Sequence, residues 1–487
     1  MDRVVRWYDY ITFNIFWLGI TALSQTMTPL IVPLLVQQFV GEAVKGASYG
    51  NLRLWTLMVA LLAQAFWGML SDHSTSAWGR RRPFIFGGTI AMVICVILVG
   101  LTSGLEGMTG YWILFAIIVL MMISSNAAHA AQQGLIPDLV PNEKRGIFSG
   151  IKAIFEIPLP VIITAFVIGK LVAANNMWGA ILVVIAIILV TMGFTMFVPE
   201  KRLESAPALN WKPFGQLLLM TAVFTVIILG MGWVSKFANT LLASQFTSNP
   251  WILIVGSGLI GLIAMLVAVT LGVVASIRAS LGSEAKATPG FTWWVVNRLA
   301  FLVGANNLAS FTVYFLQGRL GYVQSEAAGP GSKLTMFVGI FILLSALPSG
   351  WLTDKFGRKP MVVLAGILAA VGTAIALSVP NLTVIYIGGC FIGAGMGLFY
   401  TANWALGTEI VPKEQAGRYL GISNLAGAGA GAIGAYIGGP IADFITNQVP
   451  SMPGIGYVTL FVIYGLLFLL STLALLGIPT IKKGTTA

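Results

Sequence analysis

Apolar stretches of about twenty residues, long enough to cross a ~30 Å hydrocarbon layer as a helix, fall at 11–39, 52–71, 84–104, 111–136, 147–172 and 177–198. A polar, charged, Pro-marked connection over 199–214 follows, and then two more runs at 215–235 and 250–277. Behind the basic segment 278–290 come six others, at 292–317, 333–353, 361–379, 383–408, 418–445 and 457–478. The pattern predicts an all-α membrane protein of about fourteen transmembrane helices, grouped six, two and six. The domains expected are an N-terminal six-helix bundle (1–198), a cytoplasmic linker (199–214), two inserted helices (215–280), and a cytoplasmic segment with a C-terminal six-helix bundle (281–487). The first run is too long for a signal-peptide core and has no small-residue cleavage site directly behind it, so it reads as an uncleaved span.

The chain repeats itself. Gly68-Met-Leu-Ser-Asp72 leading to Gly79-Arg-Arg-Arg-Pro83 returns as Gly350-Trp-Leu-Thr-Asp354 leading to Gly357-Arg-Lys-Pro360, each time between two apolar runs. Glycine lets helices touch there, and Asp with Arg can form a polar latch at the water boundary. Further on, Asp138, Pro141, Glu143, Gly146 and Gly150 map at one constant offset onto Glu409, Pro412, Glu414, Gly417 and Gly421. Repeated six-helix halves imply two bundles about a pseudo-two-fold axis along the membrane normal, with a site between them near mid-depth.

Composition agrees with the spans. Hydrophobic residues make up 57% and charged residues 9%, against about 25% charged in soluble domains. The net charge of +11 comes from loops that share one side, those holding Arg80 to Arg82, Lys144, Arg145, Lys201, Arg202, Arg358, Lys359, Lys413, Lys482 and Lys483. The positive-inside rule makes that side cytoplasmic, with both termini inside and the plasma (inner) membrane as the location. The basic excess is therefore topological, and no nucleic-acid partner is expected. Cys95 and Cys390 fall inside apolar runs, which disfavours a disulfide framework or a thiolate metal site. No phosphate-binding Gly-Lys-Ser/Thr loop and no catalytic arrangement of side chains can be argued, so neither an ATP-driven pump nor an enzyme is expected, and no cofactor or metal.

One charged cluster lies at membrane depth. At 1.5 Å per residue Glu156 sits about 13 Å into the fifth run, Lys152 one turn shallower on the same face, and His129 about 12 Å from the cytoplasmic end of the fourth. Ionisable groups at such depth are functional unless they are paired. One reading makes Glu156 the proton-coupling carboxylate, tuned by Lys152 and His129. The other makes Lys152 and Glu156 a permanent pair at i, i+4 that locks the bundle.

The loop signature carried by Gly68, Asp72, Gly79, Arg80 and Arg81, and again by Gly350, Asp354, Gly357 and Arg358, resembles that of the major facilitator superfamily. Within it, Ser71 to Ile85 is similar to the long first loop of the sucrose transporters and the wider glycoside-pentoside-hexuronide group. The resemblance implies two six-helix bundles, alternating access, and cation-coupled sugar transport. Asp72, Arg80, Arg81, Asp354 and Arg358 would then control the cytoplasmic gate. The chain departs from the sucrose transporters at Met122, where an acid is expected, and at Gln133, where an arginine is expected, while Asn126 and Gly134 fit. It also lacks the acids that a melibiose-type sodium site needs between Leu52 and Leu70. The two inserted helices resemble those of the fourteen-helix branches.

Sugar recognition needs amides, carboxylates and a stacking aromatic. Such residues lie at helical spacing in the runs that line the cavity in the resembled family: Asn14, Trp17, Thr21 and Gln25; Asn126, His129 and Gln133; Asn307, Ser310, Tyr314 and Gln317; Tyr400, Asn403 and Trp404. The bland reading is that they only hydrogen-bond neighbouring helices. The expected function is proton-coupled uptake of a sugar or glycoside, with a small-molecule solute, a proton or other cation, and the lipid bilayer as partners. Two alternatives remain open: a fourteen-helix efflux carrier for an amphipathic compound, and a non-transporting assembly or pigment-delivery protein of the same superfamily.

Overall fold

The computed structural model describes residues 5–200, 202–206, 208–246, 249–281, 289–411 and 416–478. Lys201, Pro412, Lys413, Glu414, Lys482 and Lys483 lie outside the described residues, as does 282–288 of the basic segment. The described chain is helical throughout, with no strand among the described residues. In order the helices are α1 (Asp9–Val40), α2 (Glu42–Asp72), α3 (Arg82–Thr102), α4 (Gly107–Leu139), α5 (Asn142–Ala173), α6 (Met177–Thr195), α7 (Lys212–Gln245) and α8 (Pro250–Ser280). There follow α9 (Pro289–Ser310) and α10 (Thr312–Leu320), then α11 (Gln324–Phe356), α12 (Arg358–Ser378), α13 (Leu382–Ile410), α14 (Ala416–Gln448) and α15 (Ile455–Gly477). Among the described residues, twelve are long and apolar enough to cross a membrane, and the α9–α10 pair, bent by 62°, makes thirteen where about fourteen were expected. The span expected at 418–445 falls on α14, a 33-residue helix rich in Gly and Ala.

Local chemistry explains where the helices depart from the apolar runs. Helix α2 begins ten residues before its run, because its first turns carry Lys45, Tyr49 and Asn51, polar groups spent on contacts with other helices. Helix α5 breaks at Ile157, the residue before Pro158, where an α conformation is disfavoured, and Glu156 is the last residue of its first segment. Helix α1 widens into a π turn at Met27–Ile31, around Pro29, which has no N–H to give the ladder.

The first six and last six helices meet at the end remote from the two Gly/Asp/Arg loops. There α2 lies against α14 so closely that a Cβ on Gly50 would meet the Ala435 carbonyl, and one on Gly439 the Gly46 backbone. Helix α11 packs on the second part of α5, with Ser332 over Gly169 and Val161 over Gly339. Towards the loops the same helices part, leaving Ile147 and Ile154 of α5 and Leu347 and Trp351 of α11 exposed. Small residues make this contact possible. Gly439→Val is therefore expected to drive the halves apart and cut folded yield several-fold in size-exclusion chromatography. Gly427→Val, in open space on the same helix, is expected to leave the elution profile unchanged.

The inserted pair is not remote from this seam. Helices α7 and α8 pack on α14, with Phe224 seated on Gly429, Tyr436 on Gly232 and Ile441 on Gly261, and α7 also touches α2.

Candidate functional site

The first Gly/Asp/Arg loop is a closed network. The Arg81 guanidinium, 4% exposed, bridges Asp72 at 2.5 Å and Asp138 at 2.9 Å and donates to the Ser71 hydroxyl at 2.5 Å. Arg80 bonds Asp72 at 3.0 Å and reaches Asp138 at 3.5 Å. Glu200, in the connection after α6, accepts from the backbone N–H groups of Arg81 and Arg82, satisfying orphan donors at the start of α3. The second loop carries less. Arg358 pairs with Glu409, the residue that the internal repeat places opposite Asp138. Asp354, expected to act in this gate, is exposed and forms no ion pair among the described residues. The cause is length. Helix α11 runs to Phe356 and turns at the single residue Gly357, φ +93°, straight into α12, which carries Arg358 away from Asp354.

In the first half, a cavity of about 240 Å³ opens among α1, α4 and α5. Trp17, Thr21, Asn126, His129 and Glu156 line it. Glu156 lies 3.5 Å from Lys152, whose ammonium sits 3.8 Å from the Trp17 ring centroid. Trp17 meets His129 edge to face at 5.2 Å, and His129 Nε2 contacts Gln133 at 3.1 Å. Gln133 in turn accepts from Gln64 of α2 at 3.3 Å. Four helices thus converge on one continuous polar chain. The break before Pro158 sets Glu156 at a helix end facing this space, the kind of interrupted helix that membrane proteins tolerate beside a cavity.

The other sequence candidates lie elsewhere. Asn14 is buried and donates to the Tyr10 carbonyl, and Gln25 is half-buried outside the cavity lining. Asn307 is spent on the carbonyls of Val303 and Ala430. Asn14 and Asn307 thus spend their Nδ2 donors on backbone inside the helix packing. Tyr314 is fully buried and donates to the Pro33 carbonyl, joining α10 to α1. Asn403 donates to Asn297 and accepts from Arg298. Tyr400 and Trp404 gather beside the same arginine, whose guanidinium lies 5.4 Å from the Trp404 ring.

Three features escaped the sequence reading. Arg53 and Arg298 stand inside spans, and a charge in an apolar run was the signal that could have found them. The third is a clamp at the end remote from the latches. The Asp443 carboxylate of α14, 5% exposed, accepts from the backbone N–H groups of Gly46 and Ala47 at 3.0 and 2.7 Å and from the Tyr457 hydroxyl at 3.0 Å. Beside it Lys45 pairs with Glu42 at 2.7 Å and donates to Gln317 at 2.9 Å, while Gln317 donates to Gln37.

The Major Facilitator Superfamily profile matches residues 16–323 and 294–486, so the chain belongs to that superfamily. Its many long apolar helices make it an integral, multi-pass membrane protein. Among characterised relatives it is 28% identical over 132 residues to myo-inositol transporter 2 of Schizosaccharomyces pombe, 26% of this chain and 23% of that protein. It is 32% identical over 95 residues to the galactose-proton symporter of Escherichia coli strain K12, 19% and 20% of the two chains. It is also 30% identical over 151 residues to the multi-drug resistance efflux pump PmrA of Streptococcus pneumoniae, 29% and 36%. The matched stretches thus span only a fifth to about a third of these relatives' length. Whole-chain likeness is structural: the nucleoside transporter NupG superposes with a TM-score of 0.62 at 12% identity, covering 96% of this chain and 99% of the other. The D-xylose-proton symporter gives 0.59 at 15% identity, with 96% of each chain covered.

Proposed function

We propose that the protein is a secondary active transporter that takes up a sugar or glycoside together with protons by alternating access. The observation that carries this reading is the cavity in which Trp17, Asn126, His129 and Glu156 meet, with Lys152 beside them. An aromatic face with amide donors suits a polyhydroxylated ring. A carboxylate reached from the cavity can accept a proton and, once neutral, release Lys152. That changes the charge of the wall between the loaded and empty states. The matches to inositol transporters and to a galactose-proton symporter support the solute class. The latch end is assigned to the cytoplasm by its basic loops, and the conformation described is then open inward, its outer end held by the Asp443 clamp. Asp72, Arg80, Arg81 and Arg358 are assigned to the inner gate.

The test is uptake of labelled mono- and disaccharides into proteoliposomes with and without an inward proton gradient. Gradient-stimulated accumulation is the expected result. Glu156→Gln is expected to keep solute counterflow within about twofold while lowering uphill accumulation at least roughly tenfold. Loss of both, or of neither, would remove Glu156 from the coupling step. The match to PmrA favours a second reading, an efflux carrier. It predicts extrusion that rises with solute lipophilicity and no sugar uptake.

A further inference from the structure

Arg298 lies nine residues into α9, about 13 Å along the helix from its start. Helix α9 is enclosed by α8, α13, α14 and α15. Past its first turns only Arg298, Asn306 and Ala309 are not buried. These three lie along one side of the helix, and α9 also touches the first half at the Met27–Ile31 turn of α1.

The guanidinium there has no acid beside it among the described residues. Its Nη1 donates to the Asn403 amide oxygen at 3.1 Å, and the rings of Trp294 and Trp404 lie 5.9 and 5.4 Å from Cζ. Its Nε is shielded from solvent and has no acceptor. Arg53 of α2 repeats the situation on the first half, with a shielded Nε that also lacks an acceptor and no ion pair among the described residues. Near the middle of the spans Arg53, Lys152 and Arg298 are thus set against Glu156 alone, and Lys152 already holds it. A charge at this depth is expensive unless it is paired. A guanidinium also presents a planar fork that fits a carboxylate with two parallel bonds.

We infer that Arg298, flanked by Asn403 and Trp404, is an anion-binding subsite of the transport pathway, and that the solute carries a carboxylate. This rests on the sugar reading only for the rest of the solute, which would then be an acidic sugar. The carboxylate docks on the guanidinium, the exposed face of Trp404 packs on the adjacent carbons, and Arg53 adds positive potential from the opposite half. Asn403 orients the guanidinium through Nη1.

The test compares matched neutral and acidic probes, glucose against glucuronate and lactose against lactobionate, on the full chain in proteoliposomes. Binding is read from Trp fluorescence and thermal stabilisation, and transport from uptake. The acidic member of each pair is expected to bind at least roughly tenfold more tightly, a preference that Arg298→Gln abolishes. Asn403→Asp is the second variant. It keeps Arg298 but supplies a carboxylate beside Nη1, and it is expected to remove the preference by competition. Equal binding of acidic and neutral members, or an equal loss of both in the two variants, overturns the subsite. If no sugar of either kind binds, the sugar reading falls and benzoate against benzyl alcohol decides the subsite. A benzoate preference lost in Asn403→Asp upholds it, and the absence of any preference overturns it.

Discussion

Asp443→Ala is expected to release the outer end of the molecule. In the structure this one carboxylate takes three donors, two of them backbone N–H groups in the first α-helical turn of α2, which opens at Lys45 and belongs to the other half. It acts as a helix cap supplied across the interface, and the N-terminal partial positive charge of α2 adds to the attraction. Hydrogen bonds to a charged group contribute about 1.5–3 kcal/mol each. Removal also leaves buried N–H groups without acceptors unless the halves part and admit water. A shift of about 3 kcal/mol towards the outward-open form, roughly a hundredfold in population, follows. Ser332, 1% exposed against α5 near the same end, can report it. With Cys95 and Cys390 replaced, a cysteine at 332 should react with an impermeant maleimide roughly a hundredfold faster in the Asp443→Ala background. Asp443→Asn, which keeps an acceptor but not the charge, should lie between. Unchanged labelling would show that the clamp does not hold the gate.

The second large effect belongs to the inner latch. Arg81→Ala deletes the buried cation that joins Asp72, Asp138 and Ser71. It leaves two carboxylates sharing Arg80. Breaking a buried pair by removing one partner costs about 3–5 kcal/mol, so the unfolding midpoint in detergent should fall by roughly three to five degrees. Arg81→Lys should rescue little, because a single ammonium cannot reach all three acceptors. Arg358→Ala removes one ion pair whose side chains are 36% and 32% exposed, and should cost no more than about 1 kcal/mol. Equal losses in the two variants would mean that the latches contribute alike, contrary to their geometry. Transport kinetics should follow the same order, with Arg81→Ala changing the rate of conformational exchange more than the affinity for solute.

The duplicated loops were legible because their chemistry is local: Gly, Asp and Arg at fixed short spacing announce a turn at the membrane boundary. The echo of Asp138 in Glu409 was legible too, but that these acids meet Arg81 and Arg358 came only with the structure, because the partners are far apart in the chain. Asp354 shows the limit. The same letters in a shorter turn place the side chain elsewhere, since one residue at positive φ replaces the whole bend that brings Arg80 and Arg81 back onto Asp72. The cluster of Glu156, Lys152 and His129 was readable from depth alone, because 1.5 Å per residue converts position into level. Level does not give direction around the helix. Asn14, Asn307 and Tyr314 stand on expected cavity helices yet are buried in the packing, where each donates to a backbone carbonyl.

By itself, then, the sequence determined a helical membrane protein of the major facilitator type, the sites of its two loops, and the depth of its charged groups. Each follows from hydropathy, spacing and the rise of a helix. The tertiary structure alone decided which polar residues share the cavity, that Asp443 of one half caps a helix of the other, and that Arg298 is left without an acid. These depend on how helices distant in the chain are rotated and pressed together by small residues at α2 and α14. That rotation is set by packing over the whole bundle and is written at no single position.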